Sequence, residues 1–216
     1  MSQTPIIPPT VDSVFAAYES YKQKEQVTLN SLAEMIKTFP LHTNPIHVNL
    51  KIATINSLWS TNIKYPAQLR EKILNQIDLT TRIECGDLTV VEDIAYVQFQ
   101  DNENKQKTIR YYSFATKYCH WHAAVLNRQP NHYPIFDSFV ELALQKYNQQ
   151  EKFASFSSMD LRNYGVFTEV IAKFCSHFEL SHIPYNMIDA FLWSYGKEHS
   201  NNLTEGGREH TQNIPG

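Results

Sequence analysis

Apolar positions along this chain recur mostly at helical spacing and almost nowhere alternate. Val14, Phe15, Tyr18 and Tyr21 mark one side of a helix predicted from 12 to about 26. Ser31-x-x-Glu34 reads as a capping box that opens a second helix, with Leu32, Met35, Ile36 and Phe39 behind it. Pro40 and Pro45 bound a loop. A cleaner stripe of Val48, Ile52, Ile55 and Trp59 predicts a helix over 48–62. Pro66 suits the first turn of the next, which carries Leu69, Ile73, Leu74 and Ile77.

Asp87 is placed to cap a helix through Val90, Val91, Ile94 and Ala95. The run LTVVEDIAYVQF is the one ambiguous piece, β-branched enough for a short strand, and QDNENKQK after it reads as a turn. Ser113 or Thr116 then opens a helix to about 126, and NRQPNHYP is a loop. Further helices are predicted over 136–147 and 164–178, the latter strongly amphipathic. A last one runs over 188–195, with Gly196 as its stop. The expected class is a compact all-α fold of eight to ten helices. It divides into an extended arm (1–10), a single helical domain (11–197) and a disordered tail (198–216).

Composition narrows the function classes. The chain has 216 residues, enough for one domain with a sizeable core. Only 6 are glycine, and no glycine-rich phosphate loop occurs. The net charge is −3, without the basic surplus of many nucleic-acid binders. Part of that charge sits in the tail, so a near-neutral body can still carry a basic face. Three widely spaced cysteines, Cys85, Cys119 and Cys175, suggest no disulfide framework. With no secretory pattern at the N-terminus and no long apolar run, the expectation is a cytoplasmic protein without a membrane span.

The chemistry concentrates in YYSFATKYCHWHAAVLNRQPNHYPIFDSFV, residues 111–140. Cys119, His120 and His122 are metal-ligand types, but no second pair completes a structural zinc set. Their alternative is packing within an amphipathic helix. Lys117 near a helix start is badly placed for a cation, and nucleophilic lysine chemistry needs the neutral amine. Asp137 is a natural N-cap for the following helix, a role compatible with stabilising positive charge.

Lys117, the interval to 137, and Pro134-Ile135-Phe136-Asp137-Ser138 together resemble the helix-hairpin-helix DNA glycosylase superfamily. That superfamily includes the endonuclease III and 8-oxoguanine DNA glycosylase kinds. The motif looks closest to divergent bacterial members reading SKYxHFH…YPIYDS. The resemblance spans about 45–150. It departs from the family at the hairpin, where Ser113 and Ala115 stand for glycines, so the hairpin element is degenerate.

The resemblance implies excision of a damaged or modified base from double-stranded DNA, by a monomer needing neither cofactor nor metal. Lys117 would be the nucleophile of a Schiff-base lyase step and Asp137 the stabiliser of sugar charge. Tyr118, Trp121, His122, Phe191 and Trp193 would form the base pocket. Asn56, Trp59 and Asn62 would fill the gap in the duplex, with Trp59 as the wedge. Lys51, Lys64, Arg110 and Arg128 would meet phosphates. The alternative is a catalytically inactive DNA- or partner-binding module of the same fold.

Overall fold

The structure is a computed structural model and describes residues 7–126 and 132–208, the last eight as backbone only. Helix α1 (Val11–Thr38) runs unbroken for 28 residues. Its capping box is Thr10 with Ser13: Ser13 N–H donates to Thr10 Oγ1 at 3.2 Å, and Thr10 N–H to Ser13 Oγ at 2.9 Å. The box expected at Ser31 does not form. Residues 26–30 contain neither glycine nor proline to break the helix, and Glu34 pairs with Lys37 at 2.9 Å. Two predicted helices are therefore one.

Asn44 caps α2 (Pro45–Trp59), with Pro45 in its first turn, and α3 (Pro66–Leu74) begins at its proline as expected. Next come α4 (Leu79–Glu84), which the pattern does not announce, and α5 (Thr89–Ala95), where Asp87 Oδ1 accepts from Thr89 N. The ambiguous run resolves into strand β1 (Tyr96–Gln100), antiparallel to β2 (Gln106–Arg110) in register Tyr96↔Arg110. Only alternate residues of β1 touch the core, so the strand leaves no strong apolar signature.

β2 feeds α6 (Tyr112–Leu126) directly. Ser113 and Ala115, the positions of the expected hairpin glycines, thus lie in helix. Helices α7 (Ser138–Glu151), α8 (Tyr164–His177) and α9 (Tyr185–Arg208) complete the described residues.

α9 does not stop at Gly196, and helix continues into the predicted tail as far as Arg208. Gly196 is there for packing. A Cβ on it would lie 2.0 Å from the Phe139 carbonyl oxygen, so α9 crosses the start of α7 with backbones nearly touching. Around this crossing Tyr147 meets Phe174, Phe191 and Tyr195, all buried. The architecture is mostly helical, as the periodicity implies. Among the described residues no helix is long and apolar enough to cross a membrane.

Candidate functional site

Helix α6 divides its chemistry between two faces. Lys117, His120 and Trp121, at i, i+3 and i+4, share one of them. Lys117 Nζ donates to Ser113 Oγ one turn earlier at 2.6 Å and to Asp137 Oδ2 at 3.0 Å. Asp137 is the N-cap of α7, its Oδ1 accepting from Phe139 N at 3.0 Å. One carboxylate oxygen is thereby fixed by a helix start and the other is aimed at the lysine. The Lys117 side chain is 4% exposed and that of Asp137 19%, so the carboxylate is the member that solvent or substrate reaches more easily.

This pair lies in the wall of a cavity of about 480 Å³. Along α1, Tyr18, Tyr21, Lys22 and Glu25 follow helical spacing on the cavity side. Leu58 and Trp59 end α2 there, and α9 contributes Asn186, Asp189, Trp193 and Lys197 at i, i+3, i+7 and i+11. Trp59 stacks on Trp121 with centroids 5.6 Å apart and planes 12° from parallel. Trp193 stands edge-on to Tyr21 and carries Lys197 Nζ over its ring at 4.4 Å. The walls are flat and aromatic, suited to a planar ligand.

Polar groups are set among these rings. His120 Nδ1 donates to the Tyr133 carbonyl at 2.7 Å. A carbonyl only accepts, so Nδ1 carries the ring proton and Nε2 keeps its lone pair. Burial lowers the His120 pKa to about 4, and the ring is neutral near pH 7. Asp189 Oδ2 accepts from Ile135 N at 3.1 Å. Burial holds this carboxyl well above the usual range and so favours its neutral form. His120 Nε2, Trp121 Nε1, Asn186 Oδ1 and Asp189 Oδ1 are buried atoms with no hydrogen-bond partner in the protein.

Of the residues expected in a base pocket, Trp121 and Trp193 line the cavity beside Lys117 and Asp137, whereas Tyr118, His122 and Phe191 do not. Tyr118 and His122 occupy the other face of α6. There the Tyr118 hydroxyl meets His42 Nδ1 at 2.6 Å, and the His122 ring lies 4.7 Å from that of His42. Phe191 is in the α7–α9 core. Helical spacing from Lys117 separates these faces and points to His120, which is not among the individually named pocket residues. Asp189 and the α1 residues carried no local signal, because distant helices bring them in.

The expected DNA contacts are redistributed as well. Trp59, read as a wedge, is a cavity wall. Lys51 is wholly buried and donates to the carbonyls of Pro40 and Leu41 at 3.3 and 3.0 Å, closing the α1–α2 corner. Desolvation lowers its pKa to about 7. Arg110 grips both oxygens of Glu92 at 2.7 Å and stacks on Tyr112, so its guanidinium is engaged within the fold. Asn56 accepts from Thr61 Oγ1 and Ile63 N, shaping the turn after α2 in which Asn62 adopts a positive φ of 55°. Lys64 is exposed at the end of that turn, and Arg128 lies outside the described residues. Among the described residues no three His, Cys, Asp or Glu side chains are grouped to hold a metal ion. Cys119 is in the core, and His120 and His122 serve opposite faces.

Residues 10–128 match the HI_0787_N family model, described as an N-terminal domain. The chain is 36% identical over 154 residues to a Haemophilus influenzae protein described as uncharacterized; the match covers 71% of this chain and 67% of that protein. No solved structure matches. The chain belongs to the HI_0787_N family. The matched segment carries Lys117, His120 and Trp121, whereas Asp137 and Asp189 lie beyond it.

Proposed function

We propose that this member of the HI_0787_N family is a DNA N-glycosylase, which turns a damaged or modified base out of the duplex into the aromatic cavity and severs its bond to the sugar. One observation carries the reading. The Lys117–Asp137 pair, 3.0 Å apart, stands in the wall of a cavity whose other walls are indole and phenol rings. Those rings supply stacking surface for a base out of its stack. The pair supplies the charge that the sugar chemistry requires.

As the C1′–N bond lengthens, the electron pair leaves with the base and positive charge grows on the sugar. Asp137 Oδ2 opposes that charge, and it needs no reorganisation because α7 fixes its other oxygen. In the bifunctional branch, Lys117 transfers a proton to Asp137 and its lone pair forms the Nζ–C1′ bond. The amine then loses its second proton, the C1′–O4′ bond opens with O4′ taking up a proton, and the Schiff base so formed permits β-elimination of the 3′ phosphate. In the monofunctional branch, a water attacks C1′ and gives its proton to Asp137. Unpaired thiols suit action in the cytoplasm. Phosphate contacts, with Lys64 exposed near the Trp59 turn and Lys22 and Lys197 at the cavity, would make binding salt-dependent.

The deciding experiment incubates the full chain with duplexes bearing oxidised, alkylated and enlarged bases, and reads base release and borohydride-trapped adducts. Release that disappears in Asp137→Asn supports the reading. An Asp137→Asn protein as active as wild type on every released base sinks it. Binding of an abasic-analogue duplex with no base released across the panel would instead indicate a binding module of the same architecture.

A further inference from the structure

The cavity holds more hydrogen-bonding capacity than the proposed bond cleavage uses. His120 Nε2 is an acceptor without a donor, and Asn186 Oδ1 is another, since Asn186 Nδ2 donates to the Tyr18 hydroxyl at 3.1 Å. Trp121 Nε1–H is a donor without an acceptor. Asp189 Oδ2 is taken by Ile135 N–H, so in the neutral form that burial favours Oδ1 is a second donor. His120 and Asp189 are 2% and 6% exposed, and buried groups of this kind are ordinarily satisfied. His120 Nδ1 and Asp189 Oδ2 are 3.9 Å apart, so the two side chains lie side by side in the wall.

Size and charge restrict the ligand further. The cavity, about 480 Å³, is of the size that accepts a small-molecule ligand and leaves room beyond a single planar base. Lys22, Lys117 and Lys197 line it with Glu25 and Asp137; Lys22 pairs with Glu19 and Lys117 with Asp137, and burial disfavours the charged form of Asp189. An aromatic cage would otherwise welcome a cation, but Lys117 and Lys197 already stand in this wall, Lys197 over the Trp193 ring.

We propose that His120 and Asp189, with Trp121 and Asn186, select a neutral base enlarged by a polar substituent, and reject cationic alkylated bases. This rests on the glycosylase reading above and names its substrate class. Asp189 acts as a hydrogen-bond donor, so asparagine can replace it: the amide accepts from Ile135 N–H and donates through Nδ2. Valine cannot.

The test measures equilibrium binding on the Asp137→Asn background, so that no substrate is consumed. The probes are duplexes containing cytosine, 5-hydroxymethylcytosine, its glucosylated form, 8-oxoguanine, 7-methylguanine or a tetrahydrofuran abasic analogue. The expected order puts an enlarged neutral base about tenfold or more ahead of both cytosine and 7-methylguanine. Asp189→Val should erase that preference, and Asp189→Asn should retain it. Trp121→Phe keeps a ring in the wall but removes the N–H. It should lower the preference as well, which protects the test if the valine variant folds poorly. Preference for 7-methylguanine, or a ratio unmoved by both Asp189→Val and Trp121→Phe, overturns the proposal. The abasic duplex separates the two levels: if it is bound while the ratios ignore these residues, only the selection fails. If it is not bound, the glycosylase reading falls with it.

Discussion

Lys117 Nζ and Asp137 Oδ2 meet at 3.0 Å although twenty positions separate them in the chain. The lysine is held by Ser113 one turn back on α6, and the aspartate by its capping bond to α7. Each member is fixed by its own helix, so their distance is set by how α6 and α7 are disposed.

Asp137→Asn should preserve the cap, since asparagine caps as well as aspartate, but it takes the acceptor from the buried Lys117 ammonium, so the protein should stay folded and melt below wild type. Base release should nevertheless fall by about 10²–10³, the usual loss when a preorganised electrostatic group is removed from a developing charge. Single-turnover release beside a thermal melt checks this.

Lys117→Gln separates the two branches of the chemistry. Loss of the borohydride-trapped adduct with base release retained would assign the lysine to the lyase step alone. Loss of both would make it the nucleophile that displaces the base. Gel analysis of trapped and alkali-treated products distinguishes the outcomes.

Tyr118→Phe should destabilise without altering base selection. The hydroxyl partners the buried His42 ring, and removing it costs about 1–3 kcal/mol. Chemical denaturation should register that loss, while release per folded molecule stays unchanged.

Acid should unfold this protein through its histidines. Burial lowers His42 to about 3 and His120 to about 4, and pushes His122 well down. Their folded values lie below the unfolded 6.5, so the unfolded chain binds more protons and stability falls as pH drops below about 6.5. Each histidine contributes about 1.4 kcal/mol per pH unit down to its folded value. Asp189, raised in the fold, acts with the opposite sign above its unfolded value of 3.8. Lys51, lowered to about 7 from 10.5, adds stability as pH rises between 7 and 9. Lys51→Met should therefore show a shallower stability–pH curve than wild type in that window, measured by urea titration.

Gly196→Ala should lower stability by about 1–3 kcal/mol, because the new methyl meets the Phe139 backbone. A raised melting temperature would contradict the close α7–α9 crossing.

The sequence by itself determined that this chain is helical, that α3 begins at Pro66 and α8 at Tyr164, and that Asp137 caps a helix. Those are local matters of spacing, proline and capping chemistry. Helical spacing also separates Lys117 and Trp121 from Tyr118 and His122 on α6, whereas the family resemblance grouped Tyr118, Trp121 and His122 in one pocket. Tertiary structure decided what local rules do not reach. It kept α1 whole past a plausible capping box and carried α9 through a glycine that sequence rules make a stop. It also buried Lys51 and tied Arg110 to Glu92 across 18 positions. The cavity is the clearest case. Its walls come from α1, α2, α6 and α9, and Asp189 faces His120 only because α9 packs back across the start of α7. Contacts between residues this far apart in sequence depend on how whole helices pack, which no local run of residues encodes.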